Sequence, residues 1–135
     1  MTSLDIPGRR QTPARKQLMD LLQNSGTPVT AVQLIECLSA QGLAVNKTTV
    51  YRQLDFLEKQ GLVSALSFLG QRYYESGAIP HHHHFICQAC GLIVDVPAKP
   101  DLAEHSVRLF SSVKSSFVVL DHQVEFIGLC KECRK

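Results

Sequence analysis

Between residues 81 and 90 the chain reads His81-His82-His83-His84-Phe85-Ile86-Cys87-Gln88-Ala89-Cys90, and near its end Cys130-Lys131-Glu132-Cys133. Each Cys-x-x-Cys can turn two thiolates toward one point, and two such pairs supply the four soft ligands of a closed tetrahedral zinc site. A single pair is equally a redox motif, but a second pair and an adjoining histidine run favour zinc. Zinc ribbons leave about 15 to 20 residues between their pairs, whereas 39 separate Cys90 from Cys130. The metal is therefore expected to staple together the two ends of a small domain.

The histidines carry a second signal. If His81 to Phe85 form a strand, alternation sends His82 and His84 to one face and His81 and His83 to the other, so that two metal sites could share one strand. A solvated, tag-like run is the alternative. This run, however, is internal and leads directly into Phe85-Ile86-Cys87, an apolar strand ending on a zinc ligand.

At 135 residues the chain suits one domain or two very small ones, and units of that size commonly need a metal or a partner chain. Oligomerisation is expected. Four of the five cysteines sit in paired motifs, with no secretory leader and no apolar run long enough to span a bilayer. These features point to a cytoplasmic protein without a membrane partner. The net charge of +2 does not announce nucleic acid, but residues 6–19 hold Arg9, Arg10, Arg15 and Lys16 without one acid, a local basic patch.

Along the chain, residues 1–8 read as a loose arm. A first helix is expected where Thr12 caps and Pro13 takes the first helical position, with Leu18, Met19, Leu21 and Leu22 on its apolar face. A second starts at Thr30, with Gln33 completing a capping box, and runs through Val32, Leu34, Ile35 and Leu38 to Gly42. Cys37 among these reads as core. Asn46 caps a third helix that buries Val50, Leu54 and Leu57 and exposes Thr48, Tyr51 and Arg52 before Gly61 stops it. Strands at 62–68 and 71–75 around Leu69-Gly70 complete a winged helix-turn-helix, whose third helix enters the major groove of double-stranded DNA. An ordinary helical domain with surface Tyr and Arg is the alternative. After a hinge at 76–80, strands at 85–87 and 92–96, a helix at 101–113 and a hairpin of 117–120 with 124–127 are expected, a unit so small that it should form the dimer interface.

From Arg10 to Cys133 these motifs coincide with those of a known family. Thr12-x-x-Arg15, Thr49-Val50-Tyr51-Arg52-x-Leu54, Gly61-Leu62-Val63, the run from His81 to Cys90 and the closing Cys-x-x-Cys resemble the ferric uptake regulator superfamily of metal-responsive bacterial repressors. The resemblance implies an α+β homodimer. Residues 1–75 would form an N-terminal winged helix-turn-helix DNA-binding domain, 76–80 a hinge, and 81–135 a small α/β metal-binding dimerisation domain.

The resemblance further implies that Cys87, Cys90, Cys130 and Cys133 hold structural zinc. Glu75, His82, His84 and Asp95 would form a sensory site at the domain junction. His81, His83 and His122, with Glu104 or His105, would form an additional site. Tyr51 and Arg52 would contact bases and backbone of operator DNA, Arg10 would reach toward the minor groove, and Arg15 and Thr48 would contribute.

Iron-sensing and peroxide-sensing relatives bring a histidine from the DNA-binding domain to the sensory site, but no histidine precedes His81 here. Zinc is satisfied by four ligands and binds such sites more tightly than iron(II). The expected function is therefore a zinc-responsive repressor of zinc uptake genes, with zinc as co-repressor. An iron-responsive or peroxide-responsive regulator, with iron(II) or manganese at the sensory site, is the alternative. Many zinc-sensing relatives place a cysteine just before the histidine run, where this chain has Tyr73, Tyr74 and Glu75. A zinc hydrolase would want a motif such as His-Glu-x-x-His, which this chain lacks, and no small-molecule substrate is expected. A zinc-storage or metallochaperone role would explain the ligands but not Thr49-Val50-Tyr51-Arg52 on a capped helix.

Overall fold

The computed structural model describes residues 10–97 and 123–135, and the chain divides into two compact units between Ile79 and Pro80. The arm at 1–8, the helix expected at 101–113, the strand at 117–120 and the candidate ligands Glu104, His105 and His122 lie outside the described residues.

In the first unit, α1 (Pro13–Asn24) starts at Thr12, whose side chain accepts the Arg15 N–H, with Pro13 in the first turn. Helix α2 (Ala31–Ala40) carries the reciprocal capping box of Thr30 and Gln33. Helix α3 (Lys47–Lys59) is capped by Asn46, whose side chain accepts from the Thr49 N–H. Each cap satisfies donors that a helix end leaves open. The three helices turn Leu18, Met19, Leu22, Leu34, Leu54 and Leu57 into one core.

Two expectations for α2 fail. Its buried stripe is Ala31, Leu34 and Leu38, which leaves Val32 52% exposed and Cys37 exposed as well. Positions 31, 34 and 38 follow the helical period, and 32 and 37 fall off that stripe.

Strands β2 (Val63–Phe68) and β3 (Gln71–Ser76) form the wing hairpin, paired from Val63 with Ser76 to Phe68 with Gln71. Its two-residue tip has positive φ at both Leu69 (48°) and Gly70 (75°), as the right-handed twist of a tight hairpin demands. A short strand β1 (Val29–Thr30), which the sequence did not announce, pairs with Tyr74 and Tyr73, giving the sheet order β1-β3-β2.

In the second unit, β4 (His82–Cys87) pairs antiparallel with β5 (Ile93–Pro97) and parallel with β6 (Glu125–Gly128), in the order β5-β4-β6. The β4–β5 turn is the Cys87-x-x-Cys90-Gly91 segment. Gly91 has φ of 77° and its N–H donates to the Cys87 carbonyl at 2.9 Å, a geometry that excludes most side chains. The expected hairpin partner of β6 at 117–120 lies outside the described residues, and the parallel pairing of β6 with β4 is a further neighbour that the sequence did not announce. It brings Gly128 beside Cys87, and so sets Cys130 near the first cysteine pair.

Candidate metal centres and nucleic-acid interface

The four paired cysteines converge. Their Sγ atoms all lie within 4.8 Å of one another, and Cys90 and Cys130 are 3.8 Å apart. With zinc–sulfur bonds of about 2.3 Å, a tetrahedron has sulfur–sulfur edges of about 3.8 Å. The donor set and its spacing fit zinc. The Cys130 N–H points at Cys87 Sγ, 3.4 Å away. Backbone N–H groups of Cys130, Cys90 and Ala89 lower the Cys87 thiol pKa to about 6. The sulfurs of Cys130, Cys90 and Cys87 push Cys133 up to about 12. Four crowded thiols cannot all ionise without a cation among them.

Along β4 and His81 just before it, the histidines alternate as the pleat requires. The rings of His82 and His84 meet edge to face at 4.6 Å and those of His81 and His83 at 5.1 Å. His82 Nδ1 lies 2.8 Å from the Pro80 carbonyl oxygen, which can only accept, so Nδ1 carries the proton and Nε2 presents a lone pair. That Nε2 is 3.0 Å from His84 Nε2. Asp95, the cross-strand partner of His84, places Oδ1 3.5 Å from His84 Nε2 and 3.8 Å from His82 Nε2. Two imidazole nitrogens on one zinc ion at about 2.0 to 2.1 Å stand about 3.3 Å apart, so this trio fits a divalent metal with the His82 tautomer fixed from behind. Glu75, the fourth expected ligand, lies on β3 of the first unit opposite Ser64. His83 is buried at 2% exposure; the other residues expected around it and His81 lie outside the described residues.

In the first unit, Thr48, Tyr51 and Arg52 share the exposed side of α3 and, with Lys47 and Asp55, line a recess of about 400 Å³. Lys47 Nζ stands 5.8 Å over the Tyr51 ring, and Asp55 is paired with Lys59 at 2.9 Å. A phenol, a guanidinium, an ammonium and a hydroxyl on one helix face can reach base edges, thymine methyls and phosphates. Arg10 is exposed. Arg15 departs from the other expected DNA residues, because it is only 5% exposed and its side chain is occupied by Gln53 and the Arg10 carbonyl. Lys47 and Asp55 join this face in the structure, and the spacing of 48, 51, 52 and 55 already places Asp55 on it.

The profile of the Ferric uptake regulator family matches residues 7–127. The chain is 32% identical to the Peroxide-responsive repressor PerR of Staphylococcus saprophyticus over 134 residues, covering 99% of this chain and 88% of that protein. Among solved structures it is similar to the ferric uptake regulator of Francisella tularensis with iron, with a TM-score of 0.85 and 26% identity over 98% of this chain and all of that one. It is also similar to the Helicobacter pylori ferric uptake regulator Fur, whose structure reveals three functional metal-binding sites, with a TM-score of 0.82 and 28% identity over 95% of this chain and 84% of that one. With a family match across most of its length, cysteines and histidines gathered into metal-ligand clusters, and a winged helix ahead of them, this chain belongs to the ferric uptake regulator family and is a metal-responsive regulator.

Proposed function

We propose that the chain is a zinc-responsive repressor, a homodimer that binds operator DNA of zinc uptake genes when zinc fills its sensory site. The observation that carries this reading is the convergence of His82 Nε2, His84 Nε2 and Asp95 Oδ1 on one point of the β4–β5 ladder. With one further ligand, the set has the number and kind of donors that zinc takes. It falls short of the five or six that iron(II) sites commonly collect, and the chain has no histidine before His81 to enlarge it. Bound at Cys87, Cys90, Cys130 and Cys133, a second zinc ion is structural.

Metal raises operator affinity only to the extent that it binds the DNA-competent state better than the other. Tyr51 and Arg52 then read the major groove, with Thr48 beside them, and Arg10 reaches toward the minor groove.

A second reading, an iron- or peroxide-responsive regulator, is favoured by the 32% identity to the staphylococcal peroxide-responsive repressor. Operator binding titrated with zinc, iron(II) and manganese, together with metal analysis of the purified protein, separates the two. The zinc reading expects half-maximal binding at the lowest free concentration for zinc and no loss of binding on peroxide treatment of the zinc-loaded protein. Activation by iron(II) and release by peroxide would replace it with the second reading.

A further inference from the structure

Arg15 is a guanidinium at 5% exposure beside a core made of leucine, valine, methionine, alanine and tyrosine. Such a group is tolerated inside a domain only when its donors are matched. Its Nε donates to Gln53 Oε1 at 2.9 Å and its Nη1 to the Arg10 carbonyl at 3.1 Å. Its Cζ lies 4.6 Å over the Phe56 ring centroid. Its own backbone N–H closes the Thr12 cap at 3.2 Å.

Gln53 and Phe56 belong to α3, and Gln53 directly follows Arg52. Arg10 stands two residues before Thr12, the α1 cap, in the segment that leads into the helix and is called the Arg10 arm below. One side chain thus touches both the helix that carries Tyr51 and Arg52 and the backbone of the residue aimed at the minor groove. An ammonium could not do this, because two N–H bonds at a fixed angle and a flat face to stack are properties of the guanidinium fork.

We propose that Arg15 is a positioning residue that fixes the Arg10 arm in register with α3, and that it does not itself contact DNA. The proposal rests on the reading of Arg10 as a DNA contact. With Arg15 in place, the arm and the helix meet the duplex as one preorganised surface; without it, the arm must be ordered at the moment of binding and its contact is lost.

The test is operator binding by the metal-loaded full chain across a salt series. Arg10→Ala, Arg15→Met, Arg15→Lys and the double variant Arg10→Ala/Arg15→Met are compared with the wild type. A lost phosphate or minor-groove charge lowers the salt slope by about 1. Arg15→Met is expected to lower affinity about tenfold and to reduce the slope to the Arg10→Ala value. The double variant should lie within about threefold of Arg15→Met, and Arg15→Lys should fail to restore binding. Gln53→Leu, which removes the Nε acceptor and leaves Arg15 in the sequence, serves if Arg15→Met does not fold; its effect should likewise vanish in the Arg10→Ala background.

Additive losses with a further drop in slope, or full rescue by Arg15→Lys, would identify a direct phosphate contact and overturn the proposal. So would a lower melting temperature with unchanged affinity and slope, which marks a purely structural residue. An Arg10→Ala variant indistinguishable from wild type would instead remove the Arg10 contact on which the proposal stands.

Discussion

Cys90 and Cys130 stand 40 positions apart in sequence and 3.8 Å apart at their Sγ atoms. The approach depends on the parallel pairing of β4 with β6, from His84 with Glu125 to Cys87 with Gly128, and on the Gln88 N–H donating to the Gly128 carbonyl at 2.9 Å. Parallel neighbours lack the tight local turn that holds a hairpin together. A metal that ties the end of β4 to the end of β6 replaces it. Zinc binding at this site is therefore folding free energy, on the order of 10 kcal/mol for comparable small sites. Cys87→Ala, or exhaustive chelation, is expected to release one zinc ion per chain and melt the second unit. Zinc release measured beside far-ultraviolet circular dichroism checks this; a metal-free protein with unchanged strand signal and thermal midpoint would contradict it.

The same cluster sets a pH dependence. At pH 7 Cys87, lowered to about 6, is mostly thiolate, whereas Cys133, raised to about 12, holds its proton in the metal-free protein. Zinc must displace the Cys133 proton, so its affinity rises with pH and falls as the solution is acidified. Cys90, whose thiol pKa is also raised, loses its proton as well, so the fall should be at least about a hundredfold per pH unit between 8 and 6, and steeper below 6 where Cys87 also gains a proton. Chelator competition at a series of pH values measures the slope. A flat profile would mean that neither Cys90 nor Cys133 is a ligand.

His82→Ala should behave differently. It removes one nitrogen from the His82–His84–Asp95 trio but none of the sulfurs. The variant is expected to stay folded, keep its cysteine-bound zinc, and lose about tenfold or more of the metal-dependent gain in operator affinity. Asp95→Asn should give a smaller loss in the same direction. Anisotropy titrations with labelled operator at fixed free zinc decide the matter, and a full zinc response in His82→Ala would end the sensory assignment.

For the DNA face, Tyr51→Ala should relax sequence preference, because the ring sits on the exposed side of α3 within the recess shared with Thr48 and Arg52. The discrimination lost should be about 1 to 3 kcal/mol at one base position. Arg10→Ala should weaken binding to all sequences alike and reduce the salt slope by about 1. Binding to operator and scrambled duplexes across a salt series distinguishes these effects; two variants with wild-type affinity, specificity and slope would remove the helix and the arm from the interface.

Leu69 supplies a stability prediction. It is 72% exposed and is the one non-glycine with positive φ among the described residues, a conformation that asparagine and glycine accept and leucine resists. Leu69→Asn should stabilise the wing hairpin by about 1 kcal/mol and raise the midpoint of the first unit by about 4 to 8 °C. Differential scanning calorimetry would show it, and a lower midpoint would mean that the leucine makes a contact the exposed tip does not reveal.

Local chemistry made much of this molecule readable from its sequence. Thr12, Thr30 and Asn46 mark the helix starts because capping acts over three residues, and Leu-Gly between two alternating stretches marks the wing because a two-residue hairpin needs positive φ. The grouping of cysteines, and of His82 with His84, follows from the fixed periods of a turn and a strand. Non-local pairing was not readable. Strand β1 is two residues long, too short for any periodicity, and exists because β3 offers it an edge. The parallel β4–β6 register, which carries Cys130 to Cys87, depends on contacts between distant segments that no local pattern encodes. Cys37 and Val32 looked like core residues by type, but the angular phase of α2 against its neighbours turned them to solvent. Arg15 looked like a surface charge for DNA, and only the packing of α1 on α3 buried its guanidinium between Gln53, Phe56 and the Arg10 carbonyl. Composition and short-range period specify what each segment can be; which segments meet is decided by the tertiary fold, since that choice depends on the burial and pairing of groups far apart along the chain.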